Sequence, residues 1–214
     1  MRFGRIIGSS LGMALLSLTL GGGAQAAVIT VSATDDIFLA GQASLPTFAG
    51  GAGALPPSLS VTPGETLHIS ATGLINCCGG TPSQSPNGIT TYPWNGQPII
   101  NSTITGYGNV GTLSAPVAQE LVGVFLGPGI TTPATPFIIG SADTVVVPVG
   151  ATTLYLGIPD ANGFQGAPGY YADNFGSFSV DVLGTPSPTP GEGLLSVALI
   201  LIMGVGACLR GVIV

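Results

Sequence analysis

Residues 154–182, LYLGIPDANGFQGAPGYYADNFGSFSVDV, gather the side chains best able to hold a hard cation. Asp160 closes an apolar run, and Asp173-Asn174 open an alternating one with Phe178 and Val180 on one face. Between them lie Asn162-Gly163, Gly166 and Pro168-Gly169, which are turn formers. A loop with oxygen-bearing side chains at both mouths can supply part of a calcium shell, which takes six to eight oxygens. The competing reading is an ordinary turn in which Asp and Asn bond their own backbone. Strands are expected over about 145–158 and after 174, held together as a pairing sheet around the loop. Aromatics stand close by in sequence: Phe164, Tyr170 and Tyr171 in the loop, and Trp94 upstream. They suit either stacking on the apolar face of a sugar ring or plain packing.

The elements that must position this loop are short strands. Residues 28–32, 59–61, 66–73, 108–114, 121–125, 137–139 and 143–149 read as strands, with Leu67, Ile69 and Ala71 alternating on one face. Frequent Gly and Pro turns, and no helical periodicity outside the ends, predict an all-β domain over 27–184, a jelly-roll-like β-sandwich. Asp35-Asp36 reads as a turn at a strand end.

Charge narrows the function. Of nine Asp and Glu, only Glu192 falls beyond residue 185, so eight lie in the domain. The three basic residues, Arg2, Arg5 and Arg210, all lie in the terminal segments. An acidic domain without cations is a poor partner for nucleic acid. With one histidine, His68, and no lysine, general bases and oxyanion donors are scarce, so no enzymatic activity is expected. Zinc is not expected either, for want of a second cysteine pair.

The ends carry addresses. Arg2 and Arg5, an apolar stretch over 11–20 and Ala24-Gln25-Ala26 form a secretory signal over 1–26, cleaved before Ala27. A Pro-rich spacer over 185–193 leads into an uncharged apolar stretch, 194–209, and then Arg210, a hydrophobic tail (194–214) that suits a membrane. Export matters for Cys77-Cys78, since Cys208 sits in the tail. In an oxidising compartment this adjacent pair is a candidate disulfide. Its ring is strained, because neighbouring Cα atoms are ~3.8 Å apart across a trans peptide. Unpaired thiols or an intermolecular bridge are the other outcomes.

The tail resembles the PEP-CTERM sorting signal of bacterial surface proteins over residues 187–214. Here Pro190-Gly191-Glu192 stands where that family has Pro-Glu-Pro, and the basic end is a single Arg210. The resemblance implies an exosortase-type processing enzyme as a partner. Within the domain, PGETLHISATG (63–73), ELVGVFLG (120–127) and YYADNFGSFSV (170–180) resemble strands of LecA-like, galactose-binding calcium lectins. This second resemblance covers residues 60–182. It implies a galactose-binding-domain-like sandwich with calcium held by Asp160, the carbonyl of Tyr170, Asp173, Asn174 and a carbonyl near Cys77-Cys78. The loop from Asp160 to Asp173 is longer than the family's. Its sugar-contacting histidine has no counterpart, since His68 stands mid-strand, so galactose specificity is not implied. The expected function is exported, surface-directed binding of carbohydrate such as matrix exopolysaccharide, with Phe164, Tyr171 and Trp94 as ligand-contacting residues. The alternative is a non-catalytic structural protein of the envelope or biofilm matrix, in which calcium only stabilises the loop.

Overall fold

The computed structural model describes residues 25–100, 102–115 and 117–185. Residues 1–24 of the expected signal segment, most of the expected spacer and the whole apolar tail lie outside them. Eleven strands run in chain order: β1 (Gln25–Ser32), β2 (Ser58–Ser60), β3 (Thr66–Asn76), β4 (Ser102–Ile104), β5 (Leu113–Ala115), β6 (Val122–Leu126), β7 (Phe137–Ile138), β8 (Ala142–Val146), β9 (Thr153–Gly157), β10 (Gln165–Gly166) and β11 (Phe175–Thr185). The only helical pieces among the described residues are three single 3-10 turns, Ile37–Leu39, Asn162–Phe164 and Tyr171–Asp173. None of them is long and apolar enough to cross a membrane. The fold is all-β, as the alternation and turn density predict.

Two four-stranded antiparallel sheets, ordered β1-β11-β3-β8 and β2-β9-β6-β7, make the sandwich. Leu67, Ile69 and Ala71 of β3 and Phe178, Val180 and Val182 of β11 point inward from the first sheet. They meet Phe125, Leu154 and Leu156 from the second. Period-2 alternation on β3 and β11 therefore reads out a sheet with one solvated face. Burying each such side chain is worth about 1.5–3 kcal/mol.

β6 behaves differently, since every one of its residues is buried. Phe125 faces the sandwich core while Val122, Val124 and Leu126 face a second cluster with Ile37, Phe38, Ile104 and Leu113. A third, smaller sheet, β10-β4-β5, lies over that cluster. The continuous apolar run VGVFL is the sequence signature of a strand covered on both faces.

Three sequence expectations need correction. The run expected as one strand over 145–158 is two, β8 and β9, and they belong to different sheets. Pro148 and Gly150, the latter at φ 86°, turn the chain between them. Secondly, the arms of the 158–174 loop do not pair with each other, because β9 lies in one sheet and β11 in the other. The loop therefore spans the sandwich from sheet to sheet. Lastly, the strand expected over 108–114 shrinks to β5.

Candidate functional site

The loop is seated from below by a buried hydrogen-bond network. The Asp160 carboxylate, 2% exposed, accepts from the Ala161 N–H through Oδ1 (2.8 Å) and from Asn174 Nδ2 through Oδ2 (2.9 Å). The same Asn174 amide donates to the Ala33 carbonyl (3.0 Å), which fixes its orientation and leaves Oδ1 buried without a partner. The hydroxyl of Tyr171, a fully buried residue, accepts from the Asp160 N–H (2.9 Å). Its one proton faces two acceptors, the Ile158 carbonyl (2.7 Å) and Asp36 Oδ1 (2.9 Å). Asp36 also caps the first 3-10 turn, accepting from the Phe38 N–H (2.8 Å), while its Oδ2 has no partner.

Electrostatics follow from the absence of cations. No Lys or Arg lies among the described residues, so no positive side chain there offsets the cost of desolvating a carboxylate. Burial raises the Asp36 carboxyl to about 7. It raises Asp160 well above the usual range; the Asn174 and Ala161 hydrogen bonds pull back, while the charges of Asp173 and Asp36 push further up. Asp35 moves up for the same reason, and Glu120 reaches about 7.

The loop is packed from the side by residues 48–53. Tyr170 donates its N–H to the Ala49 carbonyl (2.9 Å), and Ala172 donates to that of Gly50 (2.9 Å). Gly53, at φ 74°, lies so close that a Cβ there would run into the Thr34 carbonyl and the Tyr171 ring. Gly53→Ala is therefore expected to cost about 1–3 kcal/mol in chemical denaturation, from left-handed strain and steric conflict together. Two aromatics on the loop also hold left-handed backbone, Phe164 at φ 57° and Tyr170 at φ 73°. Such conformations cost energy in bulky residues and cluster at ligand sites.

Above this base lies a pocket of about 390 Å³ lined by Cys77, Cys78, Trp94, Tyr170, Asp173 and the residues from Asp160 to Phe164. Trp94 is 57% exposed and rests on two other rings. Its centroid is 4.8 Å from Tyr92 and 5.9 Å from Phe164, and these two stack at 6.0 Å with an interplanar angle of 4°. An indole held from behind presents its free face at little entropic cost.

No family model matches the chain, and no curated protein matches it. Among solved structures it is similar to one described as the EclA N-terminal domain, a PllA-like lectin. The two are 19% identical with a TM-score of 0.40, over 74% of this chain and 95% of that one. A likeness of that size assigns the chain neither a family nor a ligand.

The pocket brings together Asp160, Tyr170, Asp173, Phe164, Trp94 and the Cys77-Cys78 pair. Asn174 sits just behind, bonded to Asp160. Among the described residues no three His, Cys, Asp or Glu side chains cluster as a metal site; Asp160 and Asp173 are the only carboxylates lining the pocket. Tyr171 does not offer a ring to a ligand. It is fully buried because its hydroxyl is needed by Asp36, Asp160 and Ile158 inside the loop. Phe164, at 2% exposure, reaches the pocket chiefly as the support for Trp94. Asp36 is the residue that sequence reasoning placed wrongly, as a simple turn. Its only local signal was the capping position before Ile37-Phe38-Leu39.

Proposed function

We propose that this chain is an exported, surface-directed carbohydrate-binding protein whose pocket between Asp160 and Trp94 takes a sugar with calcium. The observation that carries this reading is the pairing, in one cavity, of an exposed, ring-backed indole with an oxygen-rich loop that has no internal cation. The donors fit a hard cation. Asn174 Oδ1 is a buried carbonyl oxygen without a donor, beside a buried carboxylate whose charge is otherwise uncompensated. Asp160, Asp173, Asn174 and the Tyr170 carbonyl would hold the ion, short of six to eight oxygens, leaving room for water or vicinal sugar hydroxyls. Calcium supplies positive charge and exchangeable coordination for hydroxyl oxygens. The protein's own part is to hold the Asp160 carboxylate apart from solvent and to offer Trp94 to the ring's apolar face.

The surface-directed half of the proposal rests on the signal and tail sequences, and takes an exosortase-type enzyme as processing partner. Matrix exopolysaccharide is the ligand class in keeping with that setting. A second reading, a non-catalytic structural protein in which calcium only stabilises the loop, is favoured by one observation: both Asp160 oxygens are already bonded within the protein.

Glycan-array binding with calcium and with a chelator separates the two. Calcium-dependent capture of at least one glycan class is expected, and no capture with calcium present would sink the carbohydrate reading. Trp94→Ala is expected to weaken that capture about tenfold, equivalent to about 1.4 kcal/mol of lost stacking. The same variant is expected to keep its calcium-dependent rise in melting temperature.

A further inference from the structure

We propose that Cys77 and Cys78 join as a vicinal disulfide that forms one wall of the pocket. Their sulfurs are in contact, 2.7 Å apart, and both residues line the cavity. Cys77 is 4% exposed and Cys78 is exposed, so oxidants reach the pair through Cys78. The turn that carries them is pinned on three sides. Asn76 Oδ1 accepts from the Cys78 N–H (2.8 Å), and Asn76 Nδ2 donates to the Thr81 carbonyl (3.0 Å). Gly79 donates its N–H to the Asp173 carbonyl (3.0 Å), tying the turn to the loop across the pocket. Behind the pair, Gln84 Nε2 donates to Cys77 Sγ (3.4 Å). Held this way, the thiols need no search to meet, so the second step of oxidation is intramolecular.

The chemistry balances with an external disulfide as oxidant, either a small-molecule disulfide or that of a thiol oxidoreductase. The Cys78 thiolate attacks it, forming a mixed disulfide and releasing one thiol. Cys77, losing its proton, then attacks the Cys78 sulfur, the Cys77–Cys78 bond forms, and the second thiol leaves with the electron pair. Two electrons have passed to the oxidant, and the two thiol protons are carried off by its products. The acidic surroundings set the tempo. Burial raises both thiols, with Asp160 adding to each and Asp173 to Cys78, so thiolates are scarce and incoming anionic reductants are repelled. The bond is therefore slow to form. It exchanges two S–H groups for apolar sulfur surface opposite Trp94 and stiffens the turn.

What this wall does for ligand binding rests on the carbohydrate reading, whereas the bond itself does not. The full chain, purified without reductant and alkylated, is digested with chymotrypsin, since there is no Lys or Arg between Arg5 and Arg210 for trypsin. Cleavage after Leu74 and Trp94 isolates both cysteines in one peptide. It is expected to be lighter by two hydrogens and unalkylated, and to take two alkyl groups after reduction. Alkylation of both without reduction would overturn the proposal. So would a link to a second peptide, including the one holding Cys208, or a loss of ammonia marking a Cys77–Gln84 thioester. The mass readout needs neither sugar nor calcium, so it can fail while the carbohydrate reading stands, and the reverse.

Discussion

Asp160→Ala is expected to abolish the calcium-dependent rise in melting temperature. A ligand that binds only the folded state at a hundredfold excess over its Kd stabilises by about 2.7 kcal/mol. Asp160 is the buried carboxyl group among the proposed donors and is bonded to Asn174, whose free Oδ1 is a second donor. Removing the carboxylate deletes the charge and releases the amide that its Oδ2 holds. Without calcium the change is smaller, because two effects oppose. The Ala161 N–H and an Asn174 N–H lose their acceptor, at about 1–3 kcal/mol per buried group left unpaired, while the cost of desolvating the carboxylate disappears. Differential scanning fluorimetry with calcium and with EDTA reads the difference. Asp181→Ala, on the exposed face of β11, is the control and should keep the full calcium effect. An undiminished rise in Asp160→Ala would show that the ion, if bound, sits elsewhere.

The second large effect is an inverted pH profile. A carboxyl whose pKa is raised by folding keeps its proton in the native state after the unfolded chain has lost it. Its contribution is fully present below the unfolded value, about 3.9–4.3, and is lost as pH rises through the folded value. Asp36 and Glu120 end that window at about 7, and Asp160, raised in the same direction by burial, adds to it. In EDTA, stability should therefore fall from about pH 4 to 7, by up to about 1.4 kcal/mol per pH unit for each such group. Calcium bound as proposed is expected to oppose the trend at Asp160, since it favours the ionised carboxylate and so stabilises more as pH rises. Urea denaturation at pH 4, 5.5 and 7 tests this. A chelated protein that grows more stable over that range would show these carboxyls to be stabilised as anions.

Much of the fold was legible because period-2 alternation reports which face of a strand is buried. β3 and β11 carry that pattern plainly in Leu67, Ile69, Ala71 and in Phe178, Val180. Alternation says nothing about partners, however. β11 pairs with β1 and β3, whose partner residues lie 99 or more positions upstream, and no local signal distinguishes that from the hairpin expected around the loop. The oxygen donors at the loop mouths were readable for their types and spacing. The base beneath them was not, since Tyr171 reaches Asp36 across 135 positions. A buried tyrosine with a structural hydroxyl and an exposed one that stacks on sugar look alike in sequence. The glycines near residue 50 gave only a turn signal, though their use is to let one backbone lie against another.

β11 starts one residue after Asn174 and runs to Thr185, the last described residue and the first of the Pro-rich spacer. It is flanked on both sides, by eight register pairs with β1 and eleven with β3. Antiparallel hydrogen bonds lie perpendicular to the strands. A pull between something held in the pocket and the chain beyond Thr185 would thus run along β11 and load both ladders in shear. Hydrogen bonds loaded that way share the force instead of opening one after another from an end. The strand that continues from the pocket's loop would then be the tether through which the pocket bears tension.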